Sequence, residues 1–94
     1  MKLRWTPRAV ADLEEISDYI VVASPQAWER LLLRLERLTE AILDFPLMGK
    51  AGLVPGTREF VLSGTTYILV FQLKEDSVVI VSVRDGRMRL PPGL

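Results

Sequence analysis

One stretch of this chain limits its possible folds more than any other, the segment that starts at Ser24-Pro25. Apolar side chains recur there at spacings of 3, 4, 3, 4 and 3 residues: Trp28, Leu31, Leu35, Leu38, Ile42 and Phe45. This spacing places one apolar stripe along a helix of about five turns. Ser24 suits the N-cap, Pro25 the first helical position, and Pro46 ends the segment. The sequence therefore predicts an amphipathic helix over 24–45.

The preceding segment begins in the same way, with Thr6 as N-cap and Pro7 at the first helical position. Its apolar residues also share one helical face: Ala9, Leu13, Ile16, Ile20 and Ala23. The connection between the two predicted helices, around Ser24, is very short, which favours an antiparallel helical hairpin. Before the hairpin, the partly alternating residues 2–6 predict a first strand.

Three strand-like segments follow a loop rich in glycine and proline. They are REFVLS (58–63), TTYILVFQLK (65–74) and SVVIVSVR (77–84). Because the connections are short, these strands are expected to form an antiparallel meander. The chain is thus predicted to be one α+β domain over 1–94, with the order β-α-α-β-β-β and the helical hairpin packed on an antiparallel sheet.

Both faces of the last two predicted strands are apolar. Strict alternation places one set together: Tyr67, Leu69, Phe71, Leu73, Val79, Val81 and Val83. It places a second set on the opposite face: Ile68, Val70, Val78 and Ile80. One helical hairpin covers only one face of a sheet, so the second face indicates a partner segment. The alternative is a twisted sheet whose second face is shielded by the glycine- and proline-rich loop and the C-terminal tail.

Composition excludes several classes of function. Cysteine and histidine are absent, so disulfides, thiol nucleophiles and zinc thiolate sites are excluded and the usual general base is missing. The apolar runs are far shorter than the roughly 20 residues that cross a bilayer, and the N-terminus does not resemble a signal peptide. We therefore expect a cytoplasmic protein that has no cofactor, no metal and no membrane contact.

Three arginines lie within six positions near the end of the chain: Arg84, Arg87 and Arg89. The formal net charge is zero, so bulk attraction to nucleic acid is weak and no direct sequence-specific binding of nucleic acid is expected. Together with Arg58, these arginines predict a contact surface for a target. The alternative is a solvated strand end whose ion pairs contribute little. Trp5 and Trp28 are predicted to pack in the structure.

Six motifs in order span nearly the whole chain: WTPRAxxDLxxIxDYI, SPxA, FPLMGK, VPGTRE, YILVF and VxVRDGR. In this order they resemble the RelE/ParE family of bacterial type II toxins, and the ParE branch more closely. The resemblance implies a toxin held inactive in a hetero-oligomer by a ParD-like antitoxin, whose C-terminal part wraps over the toxin with a helix and a strand. The antitoxin contacts expected on this basis are Leu32, Arg34, Ile68, Val70, Val78 and Ile80.

The resemblance implies one of two activities, because ParE-like members poison DNA gyrase and RelE-like members cut messenger RNA in the ribosome. RelE-like members have two lysines before the central hairpin and an arginine just after the hairpin tyrosine. With the sequences aligned on Tyr67, these positions hold Glu59, Val61 and Ile68, and no tyrosine follows Tyr67. Cleavage needs cations to stabilise a charged transition state. The expected function is therefore inhibition of gyrase by binding, without catalytic residues.

Two alternatives stay open beside gyrase inhibition. In the first alternative, the chain cleaves messenger RNA in the ribosome, and the missing cations are replaced by a cluster of Arg58, Arg84 and Arg87. In the second, the chain is an inactive relative that only binds an antitoxin. Asp85 also stands where many relatives have a histidine in the last motif. If that position contacts the target, the departure implies a weaker or altered activity.

Overall fold

The computed structural model describes residues 1–87, which form two helices and five strands. In chain order these are β1 (Lys2–Trp5), α1 (Pro7–Ala23), α2 (Pro25–Asp44), β2 (Lys50–Ala51), β3 (Arg58–Val61), β4 (Tyr67–Leu73) and β5 (Ser77–Asp85). The strands form one sheet with the order β1-β5-β4-β3-β2. The two helices pack against this sheet, which confirms the predicted α+β fold.

The predicted antiparallel meander of the last three strands is confirmed, but the sheet as a whole is mixed. Strands β2 to β5 are antiparallel to their neighbours, but β1 pairs with β5 in parallel, from Lys2 beside Ser77 to Trp5 beside Ile80. A first strand that returns to the sheet beside the last one has no local sequence signal, because its partner lies more than 70 residues away. The two-residue strand β2 is too short to show any alternation.

Both helices begin where the sequence predicts. The hydroxyl of Thr6 accepts a hydrogen bond from the N–H of Ala9 at 3.1 Å, and the hydroxyl of Ser24 accepts one from the N–H of Ala27 at 3.2 Å. Ser24 also ends α1, because its own N–H donates to the carbonyl of Ile20 at 2.8 Å. One residue therefore caps both helices and forms the whole connection between them.

The hydrophobic core lies between the helices and the sheet. Its buried side chains are Ala9, Leu31, Leu35, Leu38, Ile42, Leu62, Leu69, Phe71, Val78, Ile80 and Val83. The predicted stripe of α2 supplies four of them, and Trp28 packs partly buried against them, as does Trp5. Phe45 does not join the core. It is the C-cap of α2, beyond the last helical residue, and most of its surface is exposed.

A bulge in β5 changes which side chains face the helices. Val70 pairs with Ser82, but the next residue of β4, Phe71, pairs with Ile80. Val81 is the extra residue, and its carbonyl accepts a hydrogen bond from the hydroxyl of Thr6 at 3.1 Å. An extra residue reverses the alternation on one side of the bulge, so a strict period of two fails across it.

The bulge overturns part of the predicted antitoxin surface. Val78 and Ile80 were expected on the sheet face opposite the helices, and this prediction is wrong, because both are fully buried in the core with Phe71. Val79 was expected on the helix side, but it pairs with Gln72 on the opposite face. Downstream of the bulge the predicted alternation is correct, because Val83 is buried beside Leu69.

Candidate functional site

The sheet face opposite the helices carries most of the positions that the sequence singles out. We call it the outer face, and its central residues are Glu59, Val61, Ile68, Val70, Ser82 and Arg84. The register places Val61, Ile68 and Arg84 side by side on three neighbouring strands. The positions where RelE-like members have cations are thus together on this face, and here they hold an acidic and two apolar side chains.

Glu59 is the most buried charged residue of the outer face, with 4% of its surface exposed. Its Oε1 accepts a hydrogen bond from Nη2 of Arg84 at 3.0 Å, and its Oε2 accepts one from the N–H of Leu53 at 3.0 Å. The side chain of Arg84 is 24% exposed. The charge of Arg84 is therefore balanced within the protein, and the same carboxylate fixes the loop that precedes β3.

The apolar part of the outer face is only partly accessible. Val61 is 47% exposed, whereas Ile68 is half-buried and Val70 is buried. Gly86 lies close above Ile68, because a Cβ atom at Gly86 would be 3.0 Å from its Cδ1. The turn at Gly86 and the loop at Leu53 thus shield part of this face, and the C-terminal tail of the alternative interpretation lies outside the described residues.

A second group of polar residues lies at the end of β5, and we call Tyr67, Asp85 and Arg87 the C-terminal cluster. Asp85 pairs with Tyr67 across the sheet. Its carboxylate accepts hydrogen bonds from Arg87 at the backbone N–H (3.0 Å), at Nε (3.1 and 3.2 Å) and at Nη2 (2.6 Å). Arg87 is 68% exposed and Asp85 is 15% exposed.

The C-terminal cluster shifts the acidity of its members. Hydrogen bonds from Arg87 hold the pKa of Asp85 well below its ordinary value, and the same contacts raise the pKa of Arg87. Burial raises the pKa of the Tyr67 hydroxyl, and the charge of Asp85 raises it further, while Arg87 lowers it and Tyr19 of α1 adds a small increase. Asp85 is consequently ionised at neutral pH.

Arg58 does not join the other arginines. It pairs with Phe71 in the register, so it lies on the helix side of the sheet, whereas Arg84 lies on the outer face. Its guanidinium donates to three backbone carbonyls of the loop after α2: Leu47, Met48 (3.1 Å) and Gly49 (3.2 Å). The structure thus gives Arg58 a role in holding this loop. The fourth predicted target contact, Arg89, lies outside the described residues.

The predicted antitoxin contacts of α2 are accessible. Leu32 and Arg34 are exposed on the helix, and the guanidinium of Arg34 lies against the turn at Gly64, where a Cβ atom would be 2.9 Å from Nη1. These residues lie on the helix side of the sheet, while Ile68 and Val70 lie on the outer face. A partner that contacts both sets has to pass around an edge of the sheet.

An open groove lies beside α1, on the helix side of the sheet. It has a volume of about 260 Å³, and it is lined by Trp5, Val10, Leu13, Glu14, Ser17, Asp18 and Trp28. Both tryptophans therefore pack against the core, as predicted, and also present part of their surface to this groove. Two indole rings in a shallow apolar groove offer a contact for an apolar side chain of a partner.

Two negative findings apply to residues 1–87. No three acidic side chains lie close enough together to hold a metal ion. Neither α1 nor α2 has the continuous apolar length that a membrane span requires.

Sequence reasoning missed the part that Glu59 takes in the site. Glu59 does not pair with its neighbour Arg58, because neighbours on a strand point to opposite faces. The sequence contains one signal for the pair of Glu59 and Arg84: both residues lie at alternating positions of predicted strands, where their side chains share one face of the sheet. Using that signal requires the register of three strands, which depends on the turns and on the bulge.

Comparisons with known proteins agree on one family. A family model described as "ParE toxin of type II toxin-antitoxin system, parDE" matches residues 3–90. The protein Y4kP of Sinorhizobium fredii is 33% identical over 90 residues, which cover 96% of this chain and 93% of that protein. Toxin RelE2 of Caulobacter vibrioides is 34% identical over 80 residues, which cover 85% of this chain and 89% of that protein.

A solved structure shows the same fold. It belongs to the chromosomal ParDE system of P. aeruginosa, and it superposes with a TM-score of 0.68 and 27% sequence identity. The superposition covers 90% of this chain and 95% of the other. The arrangement of two helices on a five-stranded sheet is therefore shared with a member of the matching family.

Proposed function

This chain belongs to the ParE toxin family of type II toxin–antitoxin systems, and we propose that it acts by binding and inhibiting DNA gyrase. The interaction uses the end of β5, where Arg84 and Arg87 lie on either side of the strand end. Its own side chains do not break a covalent bond in the target. A ParD-like antitoxin keeps the protein inactive in a cytoplasmic complex.

The observation that carries the proposal is the charge balance of the outer face. Cleavage of a phosphodiester requires cations near the developing charge and a group that moves a proton. Here Glu59, Val61 and Ile68 occupy the corresponding positions, and Arg84 is already paired with Glu59 at 3.0 Å. Such a face is suited to contact with a protein surface rather than to phosphoryl chemistry.

The proposed antitoxin contacts lie on both sides of the sheet. The exposed residues Leu32 and Arg34 of α2 form one contact area, and Ile68 and Val70 of the outer face form the other. An antitoxin helix on α2 followed by an extended segment along the sheet would reach both areas. Truncating the C-terminal half of the antitoxin should then abolish the complex, and tight binding by the truncated form would contradict this arrangement.

The first test uses purified, antitoxin-free protein in a supercoiling assay with gyrase. We expect inhibition of supercoiling, or accumulation of cleaved DNA, as the concentration of the protein rises. Replacing both members of the outer pair, Arg84→Gln with Glu59→Gln, removes the arginine without leaving a buried carboxylate unpaired. Combined with Arg87→Ala, this change should reduce inhibition several-fold and weaken its dependence on salt.

A matched control keeps the test specific. Lys74→Gln removes one positive charge at the exposed turn before β5, at the opposite end of that strand. It should leave inhibition unchanged. Full potency of the triple variant, with circular dichroism showing that it is folded, would remove the arginines from the target contact. The absence of any effect of wild-type protein on active gyrase from a matching host would reject gyrase as the target.

One observation favours a second candidate function. The relative named Toxin RelE2 is 34% identical over most of its length, which favours ribosome-dependent cleavage of messenger RNA. A translation extract with a defined message separates the two functions, because only the second predicts new 5′ ends within translated codons. A third state, an inactive relative that only binds an antitoxin, predicts no growth defect when the chain is expressed without any antitoxin.

A further inference from the structure

The guanidinium of Arg87 is exposed, yet one of its two binding edges is occupied. Arginine holds a carboxylate or a phosphate most strongly through two parallel N–H groups on one edge of the guanidinium. In this protein, Nε and Nη2 of Arg87 both donate to the carboxylate of Asp85. One of the two edges of the guanidinium, Nε with Nη2, is therefore occupied by a neighbour two residues earlier, and at the remaining edge, Nη1 with Nη2, the carboxylate of Asp85 offsets the attraction for an anion.

The position of Asp85 is fixed by the sheet. Asp85 is the last residue of β5 and pairs with Tyr67. The next residue, Gly86, donates its N–H to the carbonyl of Thr66 at 2.7 Å. The carboxylate also accepts the backbone N–H of Arg87 at 3.0 Å, which fixes the turn that carries the guanidinium. The pair is thus built on a paired strand end and a hydrogen-bonded turn.

We propose that Asp85 is a positioning residue that occupies the Nε and Nη2 edge of Arg87 and balances its charge, and thereby weakens the binding of an anionic group of the target. The inference rests on the proposed function, in which Arg87 contacts the target. An incoming phosphate or carboxylate has to displace Asp85 to use the Nε and Nη2 edge, and at the other edge it meets a guanidinium whose charge is already balanced by a carboxylate. Asp85 consequently sets the affinity of this chain without touching the target itself.

Asp85 differs from the other acidic residue that pairs with an arginine at this end of the molecule. Glu59 is buried and also accepts the N–H of Leu53, so a change that removes this acceptor disturbs the fold. In the pair of Asp85 and Arg87, the arginine side chain is 68% exposed, so solvent screens the pair from that side and its contribution to stability is small. Removing the charge of Asp85 therefore changes the availability of Arg87 with little effect on folding.

The test is the variant Asp85→Asn. Asparagine keeps a side-chain oxygen for the N–H of Arg87 but loses the charge that closes the guanidinium edge. We expect half-maximal inhibition of gyrase at a roughly two- to fivefold lower concentration, the range that corresponds to releasing a surface ion pair. In a chain that already carries Arg87→Ala, the same substitution should have no effect. Asp76→Asn, which changes the net charge equally in the turn before β5, is the matched control.

Two further measurements test this inference without assuming that gyrase is the target. In the NMR spectrum, the Nε–H of Arg87 should exchange slowly with water in the wild type and faster in Asp85→Asn. Growth arrest after induction without antitoxin should be stronger for Asp85→Asn, and Arg87→Ala should cancel this gain whatever the target is. Gyrase that is inhibited equally by wild type and Asp85→Asn, together with unchanged growth arrest, would overturn the inference and leave the proposed function intact.

The source of the anion follows from one more comparison. Binding of wild type and Asp85→Asn to gyrase is measured with and without DNA. A gain in affinity only in the presence of DNA identifies a phosphate as the anion, and an equal gain without DNA identifies a carboxylate of the gyrase protein. A loss of affinity in both conditions would overturn the inference, because it would mean that Asp85 itself contacts the target.

Discussion

The carboxylate of Asp12 in α1 accepts a hydrogen bond from the backbone N–H of Val83 in β5, with 3.0 Å between Oδ2 and N. Strand β1 ends at Trp5, which pairs with Ile80, so β1 does not reach this part of β5. The helix supplies the acceptor that a further strand residue would otherwise provide. This contact joins the first helix to the last strand, and it lies two residues after the bulge at Val81.

Loss of this acceptor should destabilise the protein. Asp12→Ala leaves the N–H of Val83 without a partner at a half-buried position, and we expect a loss of about 1–2 kcal/mol in the free energy of unfolding. Asp12→Asn retains a side-chain oxygen and should lose less. Urea denaturation measures both variants against Glu15→Ala, an exposed position on the same helix. Equal stability of Asp12→Ala and Glu15→Ala would show that the contact contributes nothing.

Replacing Arg58 tests whether this arginine stabilises the fold or contacts the target. Its guanidinium holds the carbonyls of Met48 and Gly49 and that of Leu47, so Arg58→Ala should lower the free energy of unfolding by about 2–3 kcal/mol. Below the unfolding temperature of the variant, its inhibition of gyrase should match that of the wild type. Arg37→Ala, on the exposed surface of α2, serves as the control for stability.

The opposite result for Arg58 has a clear meaning. A large loss of gyrase inhibition without loss of stability would return Arg58 to the target surface. Thermal unfolding and the supercoiling assay on the same preparation distinguish the two outcomes.

Two glycines with nearly the same positive φ angle predict different costs of substitution. Gly49 and Gly56 have positive φ angles of 85° and 83°, so alanine at either position adds about 1–2 kcal/mol of backbone strain. At Gly56 a Cβ atom meets nothing within 4 Å, whereas at Gly49 it would lie 2.5 Å from the carbonyl oxygen of Glu59. Gly49→Ala should therefore destabilise by about 3–4 kcal/mol in total.

Denaturation of the two glycine variants compares them directly. Gly56→Ala serves as the control for strain alone, because it shares the φ angle and lacks the close contact. Similar losses for both variants would mean that the loop at Gly49 moves away from β3 without difficulty.

Local rules explain the parts of the fold that the sequence predicts well. Thr6-Pro7 and Ser24-Pro25 determine the starts of the helices through groups within three residues, and the stripe of α2 depends on the helical period alone. The parallel pairing of β1 with β5 and the bulge at Val81 depend on contacts between distant segments. No periodicity within one strand can show them, and the face of Val78 and Ile80 was mispredicted for this reason.

In the candidate site, too, local features were predictable from the sequence and contacts between distant segments were not. The sequence locates Arg84 and Arg87 near the end of a strand, and the structure agrees. It does not reveal that Glu59 and Asp85 balance their charges, because the first pair depends on the register of three strands and the second on the conformation of the turn at Gly86. A count of arginines therefore overestimates the free positive charge at this end of the described chain.

Tyr67 makes the stability of the protein depend on alkaline pH. Burial and the charge of Asp85 raise the pKa of its hydroxyl above the ordinary value of 10.0, against the opposing effect of Arg87. Because the pKa is higher in the folded than in the unfolded protein, this contribution to stability is fully present below pH 10. It is lost as the pH rises through the folded pKa.

The prediction is tested with Tyr67→Phe, which retains the ring that packs against the core. The free energy of unfolding, measured between about pH 8 and pH 11, should fall with pH more steeply in the wild type than in the variant. Tyr19→Phe is the matched control, because Tyr19 is the other tyrosine and its side chain is exposed. Asp85→Asn should lower the pKa of Tyr67, since it removes a negative charge and leaves Arg87 in place. Parallel pH curves for wild type and Tyr67→Phe would show that the hydroxyl has the same pKa in the folded and unfolded chains, and would contradict the combined effect of burial and Asp85 on this pKa.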